Sequence, residues 1–240
     1  MSSSSFNHVN FTPAAGTPPN VEAAIRSSSS FTILAPPKSD IYAQPVPPVT
    51  HDYNAPAVFR RIPKTSFVSA QLTIAGAWQH QFDQGGFLFT LPTKDNPNPD
   101  AVSGAVHASH PAWIKAGIET NDGFPCVSIV ARAHGGWCDW SLLPLFDAPV
   151  SANTVTSATL AFERYHNALK IFLVRGHGAD ASRSLIRKVP WVFLDNVPEL
   201  GQDVLVGVYA AQPDPENESS GKSFEVTFSG FQIHTTEYGA

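Results

Sequence analysis

Two neighbouring segments near the middle of the chain alternate strictly between two kinds of side chain. In residues 113–119, which read WIKAGIE, positions 114, 116 and 118 hold Ile, Ala and Ile, whereas the other four hold Trp, Lys, Gly and Glu. A period of two is typical of a β-strand whose two faces meet different environments. Asp122-Gly123 follows, and this dipeptide favours a tight hairpin because both residues tolerate positive φ. The pattern therefore predicts a strand that turns back on itself as an antiparallel pair.

The returning strand repeats the alternation, with Val, Ile and Ala at positions 127, 129 and 131. The paired strands thus share an apolar face and a second face, which carries Trp113, Lys115, Glu119, Ser128 and Arg132. Lys115 and Glu119 are four positions apart, so both project from one face, about 13 Å from each other. An isolated charged residue gains nothing from burial in a core. We therefore predict that this face borders solvent or a cavity, and that Lys115→Ala and Glu119→Ala preserve the fold.

Short apolar runs separated by turn residues continue along most of the chain. The candidate strands are Phe31–Leu34, Ala57–Arg60, Ser66–Ala75, Gly86–Leu91, Ala112–Thr120, Cys126–Ala131, Asp139–Leu143, Thr156–Tyr165, Ala168–Val174, Ser184–Phe193, Val204–Ala211 and Ser223–His234. So many short strands with few helical periods indicate an all-β protein built from two packed antiparallel sheets. The predicted core residues are Ile114, Ile118, Val127, Ile129, Val206, Val208, Val226 and Phe228.

Residues 1–30 differ in composition from the rest of the chain. They are rich in Ser, Pro and Ala, so they bury too little apolar surface to fold alone. We expect a tail or strap here, with a short helix over Val21–Arg26, followed by a single domain over residues 31–240. Residues 94–110 and 213–222 lack strand patterning and are predicted to be long loops.

Several of these segments together resemble a known domain family. The segments are APPKSDIYAQP at 35–45, DQGG at 83–86, WIKAGIE with its Asp-Gly hairpin, Asp139-Trp140-Ser141, IRKV at 186–189 leading to Trp191, VGVYAA at 206–211 and the final strand over 224–233. Across residues 31–235 they are similar to the fungal branch of the family called regulation of enolase. The resemblance implies a concanavalin A-like β-sandwich, or jelly roll. It also implies association with a metabolic enzyme as a partner, and it implies no particular reaction.

Composition and charge argue against several classes of partner. The formal net charge is −5, and the basic residues form no large cluster, so we expect no nucleic-acid binding. No apolar run is long enough to span a membrane. The first residues, MSSSSF, have neither the basic start nor the apolar core of a secretory signal. We therefore expect a cytoplasmic protein in which Cys126 and Cys138 remain thiols.

Glycoside hydrolysis is an obvious activity for this fold, and the sequence argues against it. Hydrolysis needs two carboxylates that flank one bond. The Glu-x-Asp-x-x-Glu pattern of the β-glucanases of this superfamily is absent, and Glu119, Glu163 and Glu225 are each the lone acid of their strand. We expect Glu163 to form an internal ion pair with Arg164.

The sequence also gives no support for a metal or cofactor site. The nine histidines include none in a His-Glu-x-x-His spacing. The acidic and Asn-rich segment 95–100 resembles a lectin calcium site only in composition, because its prolines favour a turn. The segment 176–181, GHGADA, fits a loose dinucleotide-binding pattern, but no adequate helix follows, so we expect a hairpin loop. We predict no metal and no cofactor.

Aromatic residues give the strongest indication of a binding site. Small-molecule pockets combine apolar walls with a few convergent polar groups. Trp140 and Trp191 would form a stacking wall, and Lys115, Glu119 and Arg132 would make directional contacts on the concave sheet. The predicted ligand-binding residues are Trp113, Lys115, Glu119, Ser128, Arg132, Trp140 and Trp191. The next candidate location is the pair of loops around His107 and Gly135.

Two functions remain open at this point. The first is a non-hydrolytic binding protein that holds a small molecule, a carbohydrate or a protein partner. The second is a cofactor-independent enzyme of fungal specialised metabolism, such as a cyclase, a pericyclase (Diels-Alderase) or an isomerase. Such an enzyme works by positioning its substrate and by one or two hydrogen bonds, so it needs no nucleophile.

Overall fold

A computed structural model of the chain describes residues 5–146, 154–176, 178–214 and 222–236. Most of the predicted loop 213–222 lies outside these ranges, as does His177. The strands are β1 (Phe6–Val9), β2 (Phe31–Ala35), β3 (Ile41–Gln44), β4 (Thr50–Tyr53), β5 (Ala57–Pro63), β6 (Phe67–Gly76), β7 (Gln84–Leu91), β8 (Ala112–Asn121), β9 (Phe124–Arg132), β10 (Cys138–Pro144), β11 (Thr156–Tyr165), β12 (Ala168–Arg175), β13 (Ser182–Val189), β14 (Asp203–Ala211) and β15 (Phe224–Thr235). One α-helix, α1 (Val21–Arg26), lies between β1 and β2.

The strands form two large antiparallel sheets that pack face to face. The seven-stranded sheet has the order β1-β5-β14-β7-β8-β9-β10, and the six-stranded sheet has the order β13-β12-β11-β6-β15-β2. The predicted all-β sandwich is confirmed. The hairpin predicted around Asp122-Gly123 joins β8 to β9, with Trp113 paired to Arg132 and Glu119 paired to Cys126.

The core lies between the two sheets. All eight residues predicted for it are buried, and each is at most 4% exposed. Phe87 of β7 stacks on Phe162 of β11 across the core, with ring centroids 4.4 Å apart. Full burial of each large apolar side chain contributes about 1.5–3 kcal/mol, so the alternation of the strands is sufficient to fix which face of each sheet points inward.

A third, two-stranded sheet covers part of the outer face of the seven-stranded sheet. It consists of β3 and β4, which pair with Tyr42 opposite Asp52, and we call it the hairpin cover (residues 40–53). Ile41 and Tyr53 of the cover join a second apolar cluster that includes Trp113 of β8. The sequence patterns did not predict these strands, because each has only four residues and their turn contains several prolines.

The segment 5–30 lies along one edge of the sandwich. β1 pairs with β5 and so forms the edge strand of the seven-stranded sheet. Helix α1 begins after Asn20, whose side chain accepts a hydrogen bond from the Ala23 N–H, and Val21 is buried in the main core. The helix has the bounds expected from the sequence.

Two local expectations are wrong. Strand β13 ends at Val189 instead of reaching Phe193, so Trp191 lies in a turn. Glu163 pairs with Arg183 of β13 at 3.1 Å, whereas Arg164 donates to the carbonyl oxygens of Lys64 and Thr65. Adjacent residues of a strand point to opposite faces, so a neighbouring Glu and Arg do not meet easily. No helix in the described ranges has the length and apolar character needed to span a membrane.

Strands β7 and β8 approach each other unusually closely where Gly86 pairs with Gly117. A Cβ atom at position 117 would overlap the carbonyl oxygen of Gly85, and one at position 86 would overlap that of Ala116. Gly117 lies between Lys115 and Glu119 on the outer face, so no side chain separates these two charged residues. The close approach therefore shapes the floor of the outer face.

We expect Gly117→Ala to lower the free energy of unfolding by about 3 kcal/mol or more, because the new methyl group would overlap backbone atoms that cannot rotate away. Urea denaturation would measure the change. Gly123→Ala is the matched control, since Gly123 has φ of +80° but no heavy atom within 4 Å of the added Cβ. Its backbone strain should cost only about 1–2 kcal/mol. Equal losses in the two variants would contradict the close approach of β7 and β8.

Candidate functional site

A cavity of about 440 Å³ lies between the outer face of the seven-stranded sheet and the hairpin cover. Strands β7, β8, β9 and β10 supply its floor and one wall, and the cover supplies the opposite wall. Its lining residues are Asp40, Tyr42, Gln44, Thr50, Asp52, Phe82, Gln84, Lys115, Glu119, Val130, Trp140 and Pro213. The face predicted to border solvent or a cavity therefore does border a cavity.

Lys115 is the only Lys or Arg among these lining residues, and it is 3% exposed. Its Nζ donates to Gln84 Oε1 at 2.7 Å and to Asp40 Oδ1 at 3.1 Å. The Tyr209 hydroxyl donates to the same Gln84 oxygen at 3.0 Å. A buried ammonium is costly unless a counter-charge and hydrogen bonds replace its water. Lys115 thus fixes both Gln84 on β7 and Asp40 at the start of the hairpin cover.

Aromatic rings complete the surroundings of the Lys115 ammonium. Its Nζ lies 5.8 Å from the ring centroids of Trp113 and Tyr209 and 5.9 Å from that of Tyr42. Cations within about 6 Å of an aromatic face are attracted by the ring quadrupole. The ammonium is therefore held in one position by its surroundings, which is the rigidity that a binding site requires.

Glu119 forms the second polar centre of the cavity. Its Oε2 accepts hydrogen bonds from the Ser128 hydroxyl and from Trp140 Nε1, the latter at 3.2 Å. Trp140 Nε1 also lies 3.2 Å from Ser128 Oγ. Three side chains from β8, β9 and β10 therefore form one connected network. The indole of Trp140 remains 37% exposed, so its surface is available to a molecule in the cavity.

Burial raises the pKa of the Glu119 carboxyl, and the charge of Lys115 and the hydrogen bond from Ser128 only partly oppose this effect. Burial is also the main reason why the pKa of Asp52 is raised, and the nearby charge of Asp40 adds to it. In the described residues no Lys or Arg forms an ion pair with either carboxyl group. The cavity therefore holds three carboxyl groups and one ammonium.

The Asp139-Trp140-Ser141 segment of β10 points in two directions. Trp140 faces the cavity, whereas Asp139 and Ser141 both contact Arg187 of β13. β10 and β13 are edge strands of the two sheets, so these contacts join the sheets along one side of the sandwich. The segment thus combines a structural link with a cavity wall, which the alternation of a strand allows.

Trp113 and Arg132 share the predicted face but have structural partners. Arg132 is fully buried and donates to the carbonyl oxygens of His110 and Pro111 at 3.2 and 2.9 Å. Trp113 Nε1 donates to His110 Nε2 at 2.9 Å. Neither residue lines the cavity, so the prediction that Arg132 makes a directional ligand contact is not supported by its position.

The structure brings together Lys115, Glu119, Ser128 and Trp140 of the predicted site residues. Trp191 lies elsewhere, packed against the main core. The proposed stacking wall therefore contains Trp140 without Trp191. The loops around His107 and Gly135 do not line the cavity.

Sequence reasoning missed the residues that the hairpin cover contributes. Asp40, Tyr42 and Asp52 all line the cavity, as does Gln84 from β7. The alternation of IYAQ at 41–44 and THDY at 50–53 was a signal that could have identified these strands. Segment 35–45 contributes to the family resemblance, but no strand was predicted in it.

Lys115 and Glu119 are also more buried than expected. Because they are only 3% and 5% exposed, replacing either by Ala would leave partner groups without hydrogen bonds. Alanine variants at these two positions would therefore disturb the fold more than they would at an exposed position, and replacements of similar size are better suited to probe the site.

Other parts of the chain are weaker candidates for a binding site. A cavity of about 530 Å³ lies near Gly76 and Phe224, and its buried acid, Asp83, already accepts hydrogen bonds from the backbone N–H groups of Gln79 and His80. Within the described ranges, no three His, Cys, Asp or Glu side chains are grouped so that they could hold a metal ion.

Residues 17–236 match a family described as "Protein of unknown function (DUF1349)". The chain belongs to this family. A relative, the uncharacterized protein AN7484 of Emericella nidulans, is 34% identical over 210 residues, which cover 87% of this chain and 88% of that protein.

Solved structures support the fold. A functionally unknown protein from Saccharomyces cerevisiae superposes over 98% of both chains with a TM-score of 0.63 and 19% sequence identity. A xylan β-1,4-xylosidase from Bacillus halodurans C-125 is similar over 85% of this chain but only 32% of its own, with a TM-score of 0.53 and 11% identity. At such identities the likeness supports the fold, a sandwich of two antiparallel sheets, and says nothing about activity.

We expect Asp40→Ala to lower the free energy of unfolding by about 3 kcal/mol, because it leaves the buried Lys115 ammonium without its counter-charge. Adding Lys115→Met should restore much of this loss, and urea denaturation would measure both variants. Asp203→Ala is the control, since Asp203 pairs with Arg61 at 3.4 Å while both side chains stay about one-third exposed. That surface pair should contribute less than about 1 kcal/mol. Similar losses for Asp40→Ala and Asp203→Ala would contradict the role given to Lys115.

We expect His110 to make the stability of the fold depend on pH. Burial, assisted by the charge of Arg132, lowers the pKa of His110 to about 4. Between pH 6.5 and 4 the unfolded chain therefore binds a proton that the native chain does not, so stability falls as the pH falls, by up to about 1.4 kcal/mol per pH unit. Chemical denaturation at pH 7 and pH 5 should show a smaller loss in His110→Gln than in the natural chain. Equal losses of stability in the two proteins would show that His110 does not contribute to the pH dependence.

Proposed function

We propose that this chain is a non-hydrolytic binding protein that holds a small, hydroxyl-rich ligand, such as a sugar or a polar metabolite, in the cavity beneath the hairpin cover. The observation that carries the proposal is that Lys115 and Glu119, both nearly fully buried, line one cavity and are each held in place by their own partners. Buried polar groups that are fixed before a ligand arrives lower the entropic cost of binding it.

The dimensions and chemistry of the cavity favour this class of ligand. A volume of about 440 Å³ lies within the range of roughly 300–1,000 Å³ that small-molecule sites occupy. The carboxyl groups of Asp40, Asp52 and Glu119 make the lining rich in hydrogen-bond acceptors, which suits a ligand rich in hydroxyl donors. The exposed indole of Trp140 offers a flat apolar surface for the C–H face of a ring.

The arrangement of the acids supports binding without hydrolysis. Asp40 is engaged by Lys115, and Glu119 accepts two hydrogen bonds from neutral donors. Glycosidases need a pair of carboxyl groups at either side of the scissile bond. Glu119 is the only acid of β8, and the sequence lacks the Glu-x-Asp-x-x-Glu pattern that would place a second one beside it.

One observation favours a second function, a cofactor-independent cyclase, pericyclase or isomerase. Burial raises the pKa of Glu119 and so favours its protonated form, and a protonated carboxyl in an apolar site can donate a hydrogen bond to a substrate. Phe82 and Val130 add apolar walls for such a substrate.

The resemblance to the family called regulation of enolase adds a metabolic enzyme as a candidate protein partner. The proposal includes a cytoplasmic location, because the free thiols of Cys126 and Cys138 suit a reducing compartment.

Binding can be tested with D-xylose, D-glucose, D-galactose, D-mannose and myo-inositol by isothermal titration and by tryptophan fluorescence. At least one of them should bind, and Glu119→Gln should weaken that binding about tenfold or more, because a charged hydrogen bond contributes about 1.5–3 kcal/mol. Glu163→Gln is the matched control, since Glu163 is paired with Arg183 on the other sheet and lies outside the cavity. It should bind the same sugar as the natural chain does.

Two outcomes would count against the proposal. If none of the five compounds binds at 50 mM, or if Glu119→Gln and Glu163→Gln bind equally well, the cavity is not a site for hydroxyl-rich ligands. If the protein releases nitrophenol from the nitrophenyl glycosides of these sugars, and Glu119→Gln abolishes the release, the protein is a hydrolase instead.

A further inference from the structure

Three segments meet beside the hairpin cover through side chains that do not line the cavity. His51 belongs to β4 of the hairpin cover, His107 to the loop between β7 and β8, and Trp137 to the loop between β9 and β10. Nδ1 of His107 lies 2.6 Å from Nε2 of His51. The ring centroids of His51 and His107 lie 5.1 and 5.5 Å from that of Trp137. A hydrogen bond between two imidazoles therefore joins the cover to the long loop, beside the ring contacts that His51 and Tyr53 make with His110.

The position of His51 within β4 connects this contact to the cavity. Its two neighbours, Thr50 and Asp52, both line the cavity, whereas His51 points to the opposite face of the strand. A shift of the β4 backbone that separates His51 from His107 would also move Thr50 and Asp52. We propose that the contact between His51 and His107 is an acid-labile clasp, which holds the hairpin cover closed over the cavity and releases it when both imidazoles are protonated.

The chemistry of the contact makes it sensitive to acid. A hydrogen bond between two imidazoles requires that one of the facing nitrogens carry no proton. When both rings are protonated, two N–H groups face each other and the bond is lost. The charged and titratable groups around the pair are His110, whose ring centroid lies 5.5 Å from that of His51, and the guanidinium of Arg132. Burial, followed by the charges of His107 and Arg132, lowers the pKa of His51, so a proton binds His51 more readily once the contact has opened.

The rest of the cover remains attached when the clasp opens. Asp40, which directly precedes β3, pairs with Lys115, and Ile41 and Tyr53 stay buried. The N–H of Ala43 also donates to Cys138 Sγ at 3.1 Å. Release of one hydrogen bond at His51 should therefore loosen β4 locally and leave the sandwich folded.

Hydrogen exchange of the full chain without any ligand tests the clasp directly. At pH 5, after correction for the intrinsic exchange rate, amides of residues 41–53 should exchange about tenfold faster than at pH 7.5. His107→Ala should show the faster exchange at both pH values. His107→Asn should stay protected at pH 5, because the amide mimics Nδ1 and can either donate to or accept from His51. His234→Asn, a change on β15 of the other sheet, should behave like the natural chain.

The clasp is overturned if exchange in residues 41–53 is equal at the two pH values, or if His107→Asn loosens in acid as much as the natural chain. The consequence for ligand binding rests on the proposed function and is measured separately, as the affinity for whichever of the five compounds binds. A cover that loosens at pH 5 while that affinity stays constant would support the clasp and count against the cavity as the binding site.

Discussion

The burial of one ammonium group governs the outer face of this sandwich. Lys115 lies in the middle of β8 and is only 3% exposed, and such a group is tolerated only with a counter-charge and hydrogen bonds nearby. Gln84 on the adjacent strand supplies one bond, but the counter-charge, Asp40, comes from a segment outside the sheet. The position of the hairpin cover follows from this requirement, and the cavity is the space left between the cover and the strands that carry Lys115 and Glu119.

The sequence predicts the features that depend on local geometry. Alternation along β8 and β9 identifies both faces of the hairpin, and it places Lys115, Glu119 and Ser128 together because they share a face on paired strands. Trp140 joins them because β10 pairs with β9 in the same sheet. The two sheets and their core follow from the same periodicity, repeated in strand after strand.

The remaining features depend on contacts between distant parts of the chain. Asp40 and Lys115 are 75 positions apart in the sequence, and no pattern within either segment predicts that they contact each other. Arg132 has the same alternation as Ser128, yet it binds two carbonyl groups of the preceding loop and becomes structural. Trp191 lies within the predicted strand Ser184–Phe193, but the observed strand β13 ends at Val189. Periodicity states which face a residue occupies, but the partner that covers that face is a tertiary property.

The hairpin cover gives the cavity a wall that can move independently of the fold. Its apolar cluster is separate from the main core between the sheets, so the cover is not needed to keep the two sheets together. Two different kinds of contact hold it: an ion pair at Asp40 and an imidazole contact at His51. The ion pair is shielded from solvent, whereas the imidazole contact depends on the protonation of a partly exposed ring. The pair of Asp40 with Lys115 therefore stays intact while β4 loosens at His51. A ligand can then enter or leave the cavity without disrupting the strands that carry Lys115 and Glu119.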